Sequence, residues 1–192
     1  MVGLFGGSFD PIHHGHLLIA RVLAEAIGLD EVRFVPAREQ PLKRDGHRSA
    51  AAHRAAMVQL AIDGEAGFAL DPVELDRPGP SYTVDTLRAL RDREPGLDPV
   101  LLLGADAALD LPRWKEGDAV LRLARVVVFA RAGTDAPALP GVWKQVDVPA
   151  IEISATAVRE RVRMGRSLRY WVPDAVAEYI AAHGLYRTGG RE

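Results

Sequence analysis

Cysteine is absent from this chain of 192 residues, positive and negative charges are nearly balanced, and long hydrophobic runs are missing. Without cysteine the chain forms no disulfide and no thiolate metal site, which agrees with the reducing environment of the cytoplasm. A net charge of −2 gives no reason to expect binding to nucleic acid. No apolar run approaches a membrane span, and no basic leader precedes the first apolar segment. We therefore expect a cytoplasmic protein with neither nucleic acid nor a membrane as a partner, and the sequence leaves a homo-oligomer open.

The chain also lacks internal repeats and both well-known phosphate-binding fingerprints, G-x-G-x-x-G and G-x-x-x-x-G-K-[ST]. Strand-like and helix-like stretches alternate, which predicts an α/β fold. Predicted strands cover residues 2–5, 32–36, 68–75, 100–103 and 125–131, and an extended segment covers 146–153. Predicted helices cover 17–27, 50–62, 156–164 and 173–182, and another helix, capped by Ser81, ends at Arg91. We expect one domain over 1–192, with its helical part at about 154–186 packed on it.

The run from Gly6 to His16 lies between a short apolar strand and a helix whose apolar residues recur from Leu17 to Ile27. This placement predicts a turn from strand to helix. Gly6 and Gly7 have no Cβ, so a ligand can approach the backbone closely there and φ can become positive. A glycine-rich turn on its own is common, and the glycines alone do not establish a ligand site.

The start of this helix has the features of a phosphate site. Gly15 and His16 fall in its first turn, where unpaired backbone N–H groups and the positive end of the helix dipole attract anions. His13, His14 and His16 add donors that can become cationic near neutral pH. A histidine-rich tract can instead bind a metal. We favour phosphate, because no cysteine is available as a further metal ligand and phosphate binding already explains the glycines.

A second junction of the same kind follows the extended segment 146–153. Ser154 and Thr156 lie where a helix begins, and Arg159 lies one turn inside it. A phosphate bound there would contact backbone N–H groups, a hydroxyl and a guanidinium together. The alternative is an ordinary serine cap followed by surface arginines.

Further candidates lie beyond the carboxyl ends of other predicted strands, where ligands bind in open α/β sheets. Asp106 follows the apolar strand 100–103 and is either a helix cap or an acceptor for a ribose hydroxyl. Trp114, which we expect in a loop, either fills the core or stacks on a planar ligand. The basic segment 37–48 is either a solvated loop or part of the site.

The two junctions resemble the two signatures of the nucleotidylyltransferase superfamily. The run Gly6–His16 is similar to GG[ST]FDPxHxGH, and Ile153–Arg159 is similar to ISSTxxR. Three further stretches resemble bacterial nicotinate-nucleotide adenylyltransferases. They are Gly79–Leu87, Gly104–Asp106 with Trp114, and the tail from Val172 to Tyr186, which contains Gly184 and Leu185. The resemblance implies a Rossmann-like open, mainly parallel sheet with helices on both faces.

This resemblance implies an enzyme of NAD biosynthesis that transfers AMP from ATP to nicotinate mononucleotide and releases pyrophosphate. The mononucleotide phosphate would attack the α-phosphorus of ATP directly and in line, with Mg²⁺ carried by the phosphates rather than by protein ligands. Two other interpretations stay open. One is an adenylyltransferase for nicotinamide mononucleotide or phosphopantetheine, and the other is a nucleotide-binding sensor without catalysis.

The resemblance also implies roles for individual residues. The catalytic residues would be His13, His16 and Arg159. The residues that bind ATP would be Gly6, Gly7, Ser8, Phe9, His13, His16, Gly104, Asp106, Ile153, Ser154, Thr156 and Arg159. Those that bind nicotinate mononucleotide would be Asp10, Lys43, Tyr82, Thr83, Trp114 and Arg131. Among them, Tyr82 and Thr83 would contact its carboxylate, and Trp114 would stack on its ring.

The chain departs from the family pattern at three places. Leu42 stands where the family usually has histidine, Ala155 stands where it usually has a second serine, and the stretch Arg131–Gly133, which includes Ala132, lacks the proline often seen there. We expect each departure to affect affinity or rate rather than the type of reaction, because the remaining donors still converge.

Overall fold

The computed structural model describes residues 1–40, 47–131 and 140–187. The strands are β1 (Val2–Gly7), β2 (Glu31–Pro36), β3 (Phe68–Leu70), β4 (Pro99–Gly104), β5 (Arg125–Arg131) and β6 (Val142–Val148). The helices are α1 (His14–Ile27), α2 (Ala51–Ile62), α3 (Thr83–Arg93), α4 (Ala105–Asp110), α5 (Gly117–Leu123), α6 (Ala155–Arg163) and α7 (Asp174–Ala182). A short 3₁₀ helix covers Leu111–Arg113.

The six strands form one sheet in the order β3-β2-β1-β4-β5-β6, and every neighbouring pair is parallel. The predicted open, mainly parallel sheet is therefore confirmed. Strand β4 is buried on both faces, as its continuous apolar sequence predicts. Val100 and Leu102 pack in one hydrophobic cluster, and Leu101 and Leu103 pack in the other.

Helices cover both faces of the sheet. One cluster contains buried residues of α1, α2, α6 and α7, among them Leu23, Met57, Val158 and Ile180. The other contains buried residues of α3, α4 and α5, among them Leu87, Ala108 and Val120. The C-terminal helices thus pack on the same face as α1 and α2. Within the described part of the chain, none of the helices has the length and apolar character that crossing a membrane requires.

A crevice lies between the two central strands. Pairing between β1 and β4 joins Val2–Leu4 to Pro99–Leu101, although the strands continue to Gly7 and Gly104. The strand order reverses at this point of the sheet, with β2 on one side of β1 and β4 on the other. Ligands of open α/β folds bind beyond the carboxyl ends of the strands at such a switch point.

The third strand is shorter than the sequence predicts. It ends at Leu70 instead of continuing to residue 75. The next residues form a turn, in which the Val73 amide donates to Asp71 Oδ1 at 3.1 Å and the Leu75 amide to the Pro72 carbonyl at 2.7 Å. Because Pro72 has no N–H to donate, the ladder cannot continue through it.

Two other regions also differ from the prediction. Trp114 lies in a loop, as expected, but α4, the 3₁₀ helix and α5 around it were not predicted, because helices of three to seven residues are too short to show an apolar repeat. The last strand is Val142–Val148 rather than an extended segment at 146–153. It stops before Pro149, which lacks an N–H, and its first half is largely exposed, with two apolar residues followed by two polar ones instead of an alternating pattern.

Candidate active site

A cavity of about 440 Å³ lies beyond the carboxyl ends of β1 and β4. A volume of this size suits a small-molecule ligand. Five residues with predicted ligand contacts line it, namely Gly6, Gly7, Tyr82, Thr83 and Trp114. The structure therefore brings predicted site residues from β1, the start of α3 and the segment before α5 together in one cavity.

Gly6 and Gly7 end β1 without a positive φ, so the structure does not use the conformational freedom that these glycines allow. They matter for space instead. A Cβ on Gly7 would lie 2.9 Å from the ring of Phe9, whereas a Cβ on Gly6 would meet nothing within 4 Å. Phe9 is only 1% exposed and its ring packs in the core, so the ring is not available to a ligand in the cavity.

The start of α3 lines the cavity and is joined to the segment after β2. Its N-cap is Tyr82, so the predicted cap at Ser81 is wrong. The Ser81 hydroxyl accepts a hydrogen bond from the Arg38 amide at 2.9 Å, and the Ser81 amide donates to the Glu39 carbonyl at 2.8 Å. Because the side chain of the N-cap residue Tyr82 makes no capping hydrogen bond, the first N–H groups of α3 suit an anionic ligand group such as a carboxylate.

Trp114 is half-buried and forms part of the cavity wall. Arg113 and Lys115 also line the cavity, and the sequence analysis missed both. The Lys115 ammonium lies 2.8 Å from Asp85 Oδ2 and 4.9 Å from the centroid of the Tyr82 ring. The signal for these residues was the basic–aromatic–basic triplet itself, which supplies positive charge beside a stacking surface.

Two further polar residues of the lining, Glu74 and Gln40, were missed because nothing in their local sequence distinguishes them. Glu74 Oε1 accepts a hydrogen bond from the Thr86 hydroxyl at 2.7 Å. Burial raises the pKa of Glu74, and hydrogen bonds from Thr86 and Ser81 act in the opposite direction. Gln40 Oε1 accepts a hydrogen bond from the Ser8 hydroxyl at 2.8 Å, which joins the first signature to the segment after β2.

The two signatures are in direct contact. Nη1 of Arg159 donates to the carbonyl of Asp10 at 2.7 Å, and Nη2 donates to the Thr156 hydroxyl at 3.1 Å. A Cβ on Gly15 would lie 3.5 Å from the Ile153 carbonyl, so the first turn of α1 lies against the second signature. The starts of α1 and α6 are therefore neighbours, although 140 residues separate Gly15 from α6 (155 − 15).

Ser154 caps α6, because its Oγ accepts a hydrogen bond from the Ala157 amide at 3.1 Å. The cap interpretation of this serine is thus confirmed. It does not exclude the phosphate interpretation, since Ser154 and Thr156 are both exposed and the Ser154 hydroxyl keeps its proton as a donor.

The histidines of the first signature differ in their surroundings. His13 is only 6% exposed, and its Nδ1 has no hydrogen-bond partner among the described residues. Burial lowers the pKa of His13 to about 4, with a smaller contribution from the charge of His14, so the expected cation is wrong for His13 at neutral pH. Nδ1 of His16 accepts a hydrogen bond from the His13 amide at 3.2 Å, and the His13 and His16 rings stack with centroids 3.7 Å apart.

Fewer backbone N–H groups are unpaired at the start of α1 than the sequence predicts. The His14 amide donates to the Trp171 carbonyl at 3.0 Å, and the His16 amide donates to the His13 carbonyl at 2.9 Å. Anion binding at this helix start therefore depends more on the imidazoles than the dipole argument alone suggests.

Asp10 is buried, and its carboxylate accepts three hydrogen bonds from the protein. The donors are the Arg48 amide at 2.5 Å, the Ser49 hydroxyl at 2.7 Å and the Tyr186 hydroxyl at 2.7 Å. Burial alone would raise the pKa of Asp10, but these hydrogen bonds and the charge of Arg159 together lower it. The Asp10 carboxylate is therefore directed at donors inside the protein.

The remaining predicted contacts lie at the ends of β4 and β5. Gly104 is the N-cap of α4, and Asp106 is exposed in the first turn, so the interpretation of Asp106 as the cap is wrong. Arg131 ends β5 and is exposed. Lys43 lies outside the described residues, as do Leu42 and Ala132. Among residues 1–40, 47–131 and 140–187, no group of three or more His, Cys, Asp or Glu is arranged to hold a metal ion.

The arrangement has two parts. The cavity is lined by the Trp114 indole, by the start of α3 and by the basic side chains of Arg113 and Lys115, which together suit a planar anionic group. The adjoining helix starts offer imidazoles, hydroxyls and the Arg159 guanidinium, which suits phosphates.

Comparisons with known proteins agree with this geometry. The profile of the cytidylyltransferase-like family matches residues 4–161. A probable nicotinate-nucleotide adenylyltransferase from Roseiflexus sp. (strain RS-1) is 48% identical, with 97% of this chain and 98% of the relative covered. Its counterpart from Thermus thermophilus is 47% identical, with 97% and 99% covered. The structure of Plasmodium falciparum nicotinic acid mononucleotide adenylyltransferase complexed with NaAD has the same fold, with a TM-score of 0.78 at 20% identity over 96% of each chain.

Proposed function

The chain belongs to the nicotinate-nucleotide adenylyltransferase family, and from that premise we propose that it transfers AMP from ATP to nicotinate mononucleotide in NAD biosynthesis. The products are nicotinate adenine dinucleotide and pyrophosphate. The observation that carries the proposal is the hydrogen bond between Arg159 and the Asp10 carbonyl, because it joins two phosphate-binding helix starts beside a cavity with an aromatic wall.

The proposed reaction is a direct in-line displacement. An oxygen of the mononucleotide phosphate forms a bond to the α-phosphorus of ATP. The bond from that phosphorus to the bridging oxygen breaks, and pyrophosphate leaves with the electron pair. Because no bond to the protein forms, the chain has only to position the reactants and stabilise charge on the phosphate oxygens.

On the ATP side, the catalytic groups are His13, His16 and Arg159. The neutral, buried His13 has an unpartnered Nδ1, and a bound phosphate would favour its protonated form. Arg159 stabilises the β- and γ-phosphates as pyrophosphate leaves. The other proposed ATP contacts are Gly6, Gly7, Ser8, the Phe9 main chain, Gly104, Asp106, Ile153, Ser154 and Thr156.

On the mononucleotide side, Trp114 stacks on the nicotinate ring, and the uncapped start of α3 at Tyr82 and Thr83 binds the carboxylate. The cavity supports this assignment because it places the indole and this helix start in one wall. Lys43 and Arg131 stay predicted contacts of the mononucleotide phosphate.

The metal enters with the substrate. Asp10, the acidic residue of the first signature, is buried among three donors and is not free to ligate an ion. We therefore assign Mg²⁺ to the triphosphate of ATP, where this ion is usually held in such enzymes, and its role is to neutralise phosphate charge. A cytoplasmic location and a homo-oligomer stay predictions.

The proposal is tested by measuring pyrophosphate release from ATP and Mg²⁺ with nicotinate mononucleotide, nicotinamide mononucleotide and phosphopantetheine as acceptors. We expect the highest kcat/KM with nicotinate mononucleotide. A higher value with either other acceptor would show that the substrate is wrong. Tight ATP binding without release from any acceptor would indicate a nucleotide sensor instead of an enzyme.

A further inference from the structure

The tail residues Gly184, Leu185 and Tyr186 belong to a stretch that the proposed chemistry does not use. They form a turn after α7, in which the Leu185 amide donates to the Ile180 carbonyl at 3.1 Å. Gly184 has a φ of 62° and Tyr186 a φ of 64°. A tyrosine adopts this left-handed conformation only where its surroundings hold it, and such residues concentrate at functional sites. The turn brings the Tyr186 hydroxyl to the first signature.

Asp10 is the residue that this hydroxyl contacts. Tyr186 Oη and Ser49 Oγ both donate to Asp10 Oδ1 at 2.7 Å, and the Arg48 amide donates to Oδ2 at 2.5 Å. The main-chain carbonyl of Asp10 accepts the 2.7 Å hydrogen bond from Arg159. One residue therefore links the tail, the segment before α2 and the catalytic arginine.

Arg54 supports the same region through hydrogen bonds to main-chain carbonyls. Its side chain is 1% exposed and donates to three carbonyls, Ser8 at 2.8 Å and Ser49 and Arg38 at 3.3 Å. The charge of Asp10 interacts with both guanidinium groups, those of Arg54 and Arg159. A buried carboxylate that loses one of its donors must rotate, accept a proton or admit water.

We propose that Tyr186 is a positioning residue of the active site, which acts by orienting Asp10 and, through the Asp10 carbonyl, Arg159. The inference rests on the proposed function, because it assumes that Arg159 contacts the phosphates of ATP. Misplacing Arg159 affects the transition state more than the bound substrates, since charge on the departing pyrophosphate grows as the reaction proceeds.

The test is Tyr186→Phe in the full chain, which removes the hydroxyl and keeps the ring. We expect kcat to fall by about tenfold or more, the size of one lost hydrogen bond to a charged group. The KM for ATP should change by less than about twofold. The matched control is Tyr179→Phe, which removes a hydroxyl that lies 2.9 Å from His53 Nδ1, also between the C-terminal part and α2. That control should retain the kcat of the wild type.

Two further readouts separate positioning from general stability. Without the Tyr186 hydrogen bond the pKa of Asp10 rises, so the acid limb of the kcat profile should shift to higher pH in Tyr186→Phe and not in Tyr179→Phe. In a double-mutant cycle with Asp10→Asn, the two losses should be strongly non-additive, because both act on one contact.

An active wild type together with a kcat for Tyr186→Phe within twofold of it would overturn the inference alone. Multiplicative losses in the cycle, or an equal loss in Tyr179→Phe, would do the same. If Tyr186→Phe does not fold, Ser49→Ala removes another donor to Asp10 Oδ1, and an unchanged kcat in that variant would overturn the inference. A wild type without pyrophosphate release would overturn the proposed function itself.

Discussion

The His16 ring stacks on the His13 ring, and His16 Nδ1 accepts a hydrogen bond from the His13 amide. The His16 ring is therefore held beside the proposed phosphate site. We predict that His16→Ala lowers kcat by about a hundredfold or more, because loss of one preorganised donor costs around 3 kcal/mol of transition-state stabilisation. The melting temperature should change little. His14→Ala is the control, since the His14 side chain is exposed and its hydrogen bond to Trp171 uses the main chain. Near-normal turnover in His16→Ala would contradict the role of His16.

Trp114 is half-buried in the cavity wall, where we propose that it stacks on the nicotinate ring. Trp114→Ala should raise the KM for nicotinate mononucleotide by about tenfold and leave the KM for ATP nearly unchanged, because only the ring loses its stacking partner. Steady-state kinetics with each substrate varied in turn measures both constants. Trp143→Ala is the control, since that tryptophan is exposed on β6. Equal weakening of both substrates would indicate damage to the core instead.

Single residues were predictable where a motif specifies their contact with a ligand, and less so where a neighbour decides their conformation. Gly7 is required because the Phe9 ring lies against it, not because its φ is positive. Serine commonly caps helices, but the Ser81 hydroxyl accepts a hydrogen bond from the Arg38 amide instead. The error at Ser81 comes from a tertiary contact that overrides local propensity.

At the scale of elements, Gly15 lies where the starts of α1 and α6 meet, against the ring of His13. A Cβ at this position would lie 3.0 Å from His13 Nδ1 and 3.5 Å from the Ile153 carbonyl. The 3.5 Å distance is an ordinary contact, whereas the 3.0 Å distance is tight, so Gly15→Ala should displace the His13 ring, and we expect kcat to fall by about tenfold or more. This loss should occur although alanine favours a helix by roughly 1 kcal/mol over glycine.

The control for this prediction is Gly96→Ala, because a Cβ on Gly96 would meet nothing within 4 Å. Kinetics and thermal unfolding of both variants provide the measurement. Wild-type kcat in Gly15→Ala would show that catalysis tolerates a displacement of the His13 ring.

The longer elements were predictable from periodicity and the short ones were not. The apolar run of β4 and the repeats of α1, α2, α6 and α7 identified their elements and the α/β class. The region of α4, the 3₁₀ helix and α5 has no comparable pattern. Pro72 and Pro149 set the ends of β3 and β6. The sequence analysis extended both segments past these prolines because apolar residues continue beyond them.

At the scale of the whole molecule, the site depends on contacts between distant parts of the chain. Arg54 reaches Ser8 across 46 residues, and Tyr186 reaches Asp10 across 176. The signatures identified the residues proposed to touch phosphates. No local pattern identified Arg54 or Tyr186 as their supports, because a hydrogen bond of this range depends on the packing of the complete fold.

Folding also places His13 in an interior where it is neutral, and this makes the stability of the molecule dependent on pH. Its pKa is about 4 in the folded protein, against 6.5 in an unfolded chain. Below pH 6.5 the unfolded chain binds a proton that the folded protein does not. The free energy of unfolding should therefore decrease as the pH falls from 6.5 towards 4, by about 2 kcal/mol from His13 at pH 5.

Urea unfolding of the wild type and of His13→Asn at pH 7 and pH 5 measures this contribution. Carboxylates with lowered pKa values, such as Asp10, lose their contribution only at lower pH, so they affect both proteins alike over this range. The difference in unfolding free energy between pH 7 and pH 5 should be smaller in His13→Asn by about 2 kcal/mol. An identical difference in the two proteins would mean that His13 is protonated in the folded state at pH 5, and hence that its imidazole is already cationic before a phosphate binds.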